Sequence, residues 1–297
     1  MPPESHDWRM AIDEVKASSW RDVEDWISDV AWARAVDQPR ATAVYRGVAS
    51  PRFALETSLG RRGGSYASRE KHLFRNFRKY AYRHGRPDWS EWNWLALAQH
   101  YGLPTRLLDW SFSPLIALHF ATDRYPDLPG MVWAVDYSRV HEQVPDALRP
   151  YREEGALVFT TDMLAAGAPT IADFDRLAGE GQFAVFFEPP SIEDRIANQS
   201  AVLSVMSGPP TVNIADWFGQ HPGVARRLSL PPGLKKEVRE RLDQNGITER
   251  MLFPGLSGLA AWLARYYSDQ GIEPDPLERD DEVRIRDARE NEPGTGI

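Results

Sequence analysis

Residues 94–121, WLALAQHYGLPTRLLDWSFSPLIALHFA, constrain the fold more than any other part of the chain. Trp94-Leu95-Ala96-Leu97-Ala98 is an apolar helical run that ends in the polar pair Gln99-His100. Gly102-Leu103-Pro104 breaks it, because Gly admits dihedrals other residues avoid and Pro biases its predecessor away from helix. Residues 105–110 read as a short strand. Ser113-Pro114 then opens an apolar helix over 115–121, with Ser as its N-cap and Pro at its first position. Inside this apolar frame sit Gln99, His100, Thr105, Arg106 and Asp109. Buried polar groups need partners, so this set makes a costly core unless a ligand or water shares in satisfying it.

The rest of the chain reads as irregular helix and strand. Val23, Trp26, Ile27 and Val30 fall at helical spacing and predict a helix over 19–35. Strands are expected at 44–47, 131–135, 184–187 and 201–206, and a basic amphipathic helix at 68–83. Helices at 235–242, with Asn245-Gly246 as its C-cap, and at 258–267 close the globule. Such unequal spacing argues against a regular βαβ series. It predicts one α+β domain over 19–268, with a mixed or antiparallel sheet flanked by helices. Residues 1–18 are an N-terminal extension, and 269–297 a charged tail expected to be disordered. A hydrophobic content of 42% suffices for the core, and the eleven Trp belong mainly to it.

Composition excludes several chemistries. Without cysteine there is no disulfide, thiol nucleophile or thiolate zinc site. The seven His never fall at metal-ligand spacing, so no metal is predicted. No P-loop, HExxH or GxSxG motif occurs, and Gly60-Arg61-Arg62-Gly63-Gly64 reads as a flexible loop. The N-terminus MPPESHDWRM is no signal peptide and no apolar run approaches the ~20 residues of a membrane span, which points to a cytoplasmic protein without a membrane partner. A net charge of -8 argues against a generic nucleic-acid coat. Arg61, Arg62, Arg69, Lys71, Arg75, Arg78, Lys79 and Arg83 still form a local basic patch, for which a solvated helix face is the favoured reading.

Residues 94–121, together with Tyr45-Arg46-Gly47 after Ala43-Val44, resemble the signature of the FRG domain family, named for an aromatic-Arg-Gly tripeptide. Residues 186–199, FFEPPSIEDRIANQ, and residues 231–263 fit the same pattern, so the resemblance spans roughly 40–265. After Gln199 the family usually has Gly, where this chain has Ser200. The order of features is in turn similar to that of ADP-ribosyltransferases: an early Arg, a polar strand running into Ala117-Leu118-His119-Phe120-Ala121, then a late Glu or Gln. The resemblance implies an ADP-ribosyltransferase-like fold and an NAD-consuming transferase or glycohydrolase, of a kind suited to a bacterial toxin or anti-phage effector. NAD is the candidate co-substrate, a nucleotide-like small molecule the partner, and Arg46, Asp109 and Gln199 the catalytic set. Arg46 would clamp the pyrophosphate or the nicotinamide ribose, and Gln199 would stand near the position of the catalytic Glu. Glu188, Glu193 and Asp109 are the carboxylates able to supply the charge that Gln199 lacks. Tyr45, Gly47, Gln99, His100, Tyr101, Thr105, Arg106, Trp110, Ser111 and Arg195 would contact the nucleotide, with Trp110 stacking on nicotinamide.

Plainer readings stand beside these. Arg46 and Asp109 form a buried ion pair that fixes two strands. Gln99 and His100 cap their helix, and Arg195 pairs with Glu193 or Asp194. In that case the domain is a non-catalytic ligand-sensing or protein-interaction module. Residues three apart on a strand point to opposite faces, so Asp109 is expected in the cleft and Arg106 behind it.

Overall fold

The computed structural model describes residues 12–32, 42–52, 55–63, 68–86, 88–153, 158–179 and 181–268. The expected tail at 269–297 and most of the expected extension lie outside them. In chain order the elements begin β1 (Asp13–Lys16), α1 (Trp20–Trp32), β2 (Ala43–Val48), α2 (Glu70–Tyr80), α3 (Glu91–His100), β3 (Leu107–Ser111) and α4 (Pro114–Thr122). They continue with β4 (Gly130–Asp136), α5 (Tyr137–Val140), α6 (Arg149–Glu153), β5 (Phe159–Thr160), α7 (Thr161–Gly167) and α8 (Ile171–Leu177). The chain then forms β6 (Ala184–Glu188), α9 (Asp194–Asn198), β7 (Ala201–Met206), α10 (Ile214–Gln220) and β8 (Ala225–Leu230). Three helices finish it: α11 (Pro232–Gln244), α12 (Glu249–Leu252) and α13 (Leu256–Tyr266). None of the described helices is long and apolar enough to cross a membrane.

Among the described residues eight strands form one sheet in the order β1-β8-β4-β2-β3-β7-β6-β5. Its two outermost pairs are parallel and the inner ones antiparallel, so the sheet is mixed and the fold α+β, as the irregular spacing predicts. Central β4, MVWAV, is buried on both faces and carries an unbroken apolar run for that reason. On one face Tyr45, Val132 and Leu228 pack under α4 and α11 with Ala117, Leu118 and Val238. On the other, Val44, Trp110, Trp133 and Phe186 pack with Trp217 and Phe218 of α10. Trp92, Phe174 and Phe187 anchor a further cluster beside β6 and β7.

Strands β1 and β8 were not expected. β1 falls in residues assigned to the extension, and its sequence DEVK shows no apolar alternation. Backbone pairing and the packing of Ile12, Val15 and Ala17 hold it in place, and charge adds to this across the register. The register sets Asp13 opposite Arg226 and Glu14 opposite Arg227, and the ion pairs close at 3.0 and 2.6 Å. Cross-strand opposite charges stabilise a pair and fix its register, but leave no hydrophobic periodicity to read.

Helix α4 lies directly on β2 at Gly47. A Cβ built there would meet Ala117 O at 1.7 Å and Ala121 N at 2.7 Å, both backbone atoms that cannot swing aside. The glycine of the aromatic-Arg-Gly tripeptide therefore sets the helix-to-sheet distance. Gly47→Ala is expected to push α4 off the sheet at about 3 kcal/mol; a thermal melt within a degree of wild type would reject this.

The C-terminal helices are closed by an ionic knot. Arg265 is bidentate to Asp243 (2.6 and 2.8 Å) and also reaches Glu249, which Arg239 of α11 contacts from the other side. Arg239 Nη1 lies 2.8 Å from His119 Nδ1 of α4, and burial, with Arg239 adding to it, pushes that imidazole down to about 3. His119 is thus a neutral acceptor inside the fold.

Candidate functional site

The site begins as a defect in the sheet. β2 and β3 pair at a single position, Tyr45 with Ser111, whereas β2 runs in register with β4 from Ala43 to Val48. Phe112 N donates to Ser200 O at 3.0 Å, which directs the even positions of β3 to β7 and turns the backbone of Asp109 toward β2. Among the described residues no strand meets it there. Arg46 does: its Nη1 donates to the Asp109 carbonyl oxygen at 2.5 Å, bridging the gap with a side chain. The splayed strands, α4 and the segment around Arg195 enclose a cavity of about 770 Å³.

Arg46 is half-buried in the cavity wall, and its Nε is buried without a hydrogen-bond partner. Burial lowers its guanidinium pKa, the Asp109 charge opposes that, and Arg61 adds to it. The expected ion pair with the Asp109 carboxylate is not what forms, because the contact is to the carbonyl. The carboxylate itself points into the cavity, where Oδ2 accepts from Gln99 Nε2 at 2.8 Å. Gln99 Oε1 in turn accepts from Thr105 Oγ1 at 2.5 Å. Gln99 is therefore an orienter of Asp109 rather than a helix cap, and buried Thr105 stands behind it without lining the cavity.

Arg106 lies on the far side of β3 and touches no part of the cleft. Its Nε and Nη2 hold both carboxylate oxygens of Glu70 at 2.8 and 2.6 Å, and its Nη1 holds Asp175 at 2.7 Å. Its assignment to the nucleotide is corrected to a structural one. Trp110 borders the cavity, but its ring is buried against Phe186 with Nε1 donating to Ser204 Oγ at 2.8 Å, so the stacking role assigned to it is corrected to a structural one. Tyr45 is buried edge-on to Trp26, and burial raises its hydroxyl to about 12. Ser111 Oγ donates to Gln199 O at 2.7 Å, while Gln199 Nε2 donates to Leu252 O at 3.1 Å. Both residues border the cavity.

At the rim, Glu193 receives Tyr101 Oη at 2.6 Å and faces His100 Nε2 at 2.8 Å. These two contacts, Tyr101 first, hold its carboxyl below the usual range. His100 lines the cavity; Tyr101 and Glu193 stand outside it. Arg195 also lines it, stacked over Phe253 at 4.9 Å with no pairing to Glu193 or Asp194 among the described residues.

Three cations of the lining carry no sequence signal for the site: Arg52, Arg61 and Arg124. By sequence Arg61 belongs to the basic patch, and no local pattern ties it to a site. The rim segments that carry Arg52 and Arg124 are pinned by Lys235, buried at the start of α11. Its Nζ donates to Ala49 O (2.8 Å), Arg124 O (3.0 Å) and Tyr125 O (2.8 Å). Burial lowers its pKa to about 8. Tyr125, with φ 50°, is held in the left-handed region beside it.

Ser200 is the second non-glycine residue in that region, at φ 46°. This accounts for the usual glycine at the position: the turn from α9 into β7 needs a conformation that costs an L-residue about 1–2 kcal/mol. Ser200→Gly is expected to gain about 0.5–1 kcal/mol, since extra chain entropy in the unfolded state offsets part of the relief. A urea midpoint that falls would contradict it.

The FRG domain family model matches residues 41–128, from before β2 to beyond α4. That segment carries Arg46, Gln99, Asp109, Arg52, Arg61 and Arg124, while Arg195, Gln199 and Lys235 lie after it. No curated protein and no solved structure matches the chain.

Proposed function

With an FRG domain at residues 41–128 as the premise, we propose that the cleft binds a phosphate-bearing nucleotide, with NAD as candidate co-substrate. The observation that carries this reading is charge. Among the described residues Arg46, Arg52, Arg61, Arg124 and Arg195 line the cavity with one carboxylate, Asp109, in a chain of net charge -8, and Arg124 is in addition paired with Asp123 at 3.6 Å. Guanidinium forks match phosphate oxygens geometrically. A volume of about 770 Å³ lies in the range of cofactor-sized sites.

The same arrangement supports an NAD-consuming transferase or glycohydrolase. As the bond between ribose C1′ and nicotinamide breaks, nicotinamide leaves with the electron pair and positive charge develops on the ribose. Water or a target nucleophile then bonds to C1′. Asp109, oriented by Gln99, is the negative group able to stabilise that charge, a role the neutral Gln199 cannot fill. Such an enzyme suits a cytoplasmic toxin or anti-phage effector, because loss of NAD or modification of a target arrests a cell.

One observation favours a second reading, a non-catalytic sensing module. The late carboxylate Glu193 is engaged by His100 and Tyr101, and Glu188 does not line the cavity. The two readings part when purified protein is incubated with NAD, following nicotinamide release and the thermal midpoint. Release together with a raised midpoint supports the enzyme, and a raised midpoint alone supports the module. Neither response removes NAD as the ligand.

A further inference from the structure

We infer that α2 and the turn after it form a docking surface for single-stranded nucleic acid at the mouth of the cleft. Between residues 69 and 86 the chain carries Arg69, Lys71, Arg75, Arg78, Lys79, Arg83 and Arg86, and all are exposed. The only carboxylate in that stretch, Glu70, is turned inward and held by Arg106. Among the described residues none of these seven cations pairs with a carboxylate. A solvated helix ordinarily alternates its charges at i,i+4 spacing. Here Lys71, Arg75 and Lys79 repeat at that spacing with one sign, which is destabilising for the helix unless an external anion compensates.

Aromatic side chains are interleaved with the cations. Tyr80, Tyr82 and Tyr101 are 78%, 65% and 56% exposed, among the most exposed large apolar side chains of the described residues. Lys79 lies over the Tyr80 ring at 5.2 Å. Cations beside stacking faces are what a single strand needs: the charges track the backbone and the rings take unpaired bases. A membrane surface fits less well, because it needs an apolar helix face. The apolar face of α2 is already committed, with Phe74 in the cluster that holds Trp94 of α3.

The surface also has a direction. His84, at the end of the basic stretch, lies 6.5 Å from Tyr101, and Tyr101 lies 5.2 Å from His100, which lines the cavity. A strand lying along α2 is thereby led past Tyr101 to the cleft mouth. The inference rests on this exposed surface and stands whether or not the cleft binds NAD.

The test uses the full chain and fluorescein-labelled single strands of about 20 nucleotides, oligo-uridine and oligo-deoxythymidine, followed by anisotropy across a salt series. Binding is expected to weaken steeply with salt. Arg75→Glu with Lys79→Glu should reduce affinity about ten-fold or more and flatten the salt slope by about 1.4, at about 0.7 per phosphate contact. Tyr80→Ala with Tyr82→Ala should reduce it about five-fold or more with the slope unchanged. Circular dichroism and the thermal midpoint of each variant serve as folding controls. No binding at low salt overturns the inference. So does equal binding to heparin without any effect of the tyrosine changes, or capture by anionic phosphatidylserine vesicles when the oligonucleotides are ignored.

Discussion

Arg106→Ala is expected to destabilise the protein by about 3–5 kcal/mol, measured by urea unfolding followed through Trp fluorescence. The guanidinium is 6% exposed and joins four parts of the chain: Glu70 of α2, the start of β3, Asp175 of α8 and the carbonyl of Gly208 after β7. Burial alone would lower its pKa; the bidentate bond to Glu70 and the pairing with Asp175 prevail and raise it. Removing the cation strands Glu70, itself 8% exposed, with no compensating charge. The loss therefore measures an unpaired buried carboxylate more than the net worth of the ion pair. Arg106→Met combined with Glu70→Leu should recover most of it, because a buried pair replaced by apolar groups of similar volume is often neutral. Arg106→Lys should fall between, keeping the charge and losing the fork. A single Arg106→Ala change costing under about 1 kcal/mol would show that water reaches Glu70 and that the pair behaves as a surface one.

Arg106 also shows where sequence reasoning reaches its limit. Its place opposite Asp109 follows from strand geometry alone. Its partners Glu70 and Asp175 lie far from it in sequence, and nothing local distinguishes a core guanidinium from a ligand-binding one. The segment 94–121 was legible because its signals are local: Ser113 caps α4, Pro114 starts it, and Gly102 at φ 79° ends the turn after α3. The same holds for the mixed, irregular sheet. Strand β1 was hidden because Val15 is its one apolar residue, its other core contacts come from Ile12 and Ala17 just outside it, and its register is marked by ion pairs. At the cleft, Arg46 and Asp109 lie in adjacent strands and could be found from their motif. Arg52, Arg61 and Arg124 arrive on irregular segments, two of them fastened by Lys235 from α11, and such convergence has no period to detect.

For the cleft, Arg46→Ala is expected to abolish NAD turnover while changing stability by no more than about 1 kcal/mol. The small stability term follows from the geometry. Among the described residues Arg46 makes one hydrogen bond, to a carbonyl oxygen that water entering the cavity can satisfy, and its removal also relieves the burial of a guanidinium. Asp109 is not stranded, because its carboxylate is held by Gln99. Arg46→Lys keeps the charge and loses the bidentate fork, so activity should remain low. Asp109→Asn separates the other half of the mechanism. Asn still accepts from Gln99 but carries no charge, so kcat should fall about 10²–10³-fold with KM little changed, as for loss of an interaction made only in the transition state. Wild-type turnover in Asp109→Asn would leave the developing cation without its proposed counter-charge and move the protein toward the sensing reading. If Arg46→Ala instead lowers stability by more than about 3 kcal/mol, the residue is a strand tie whose loss collapses the gap between β2 and β3. Full activity in a folded Arg46→Ala variant would remove the clamp from any mechanism built on this cleft.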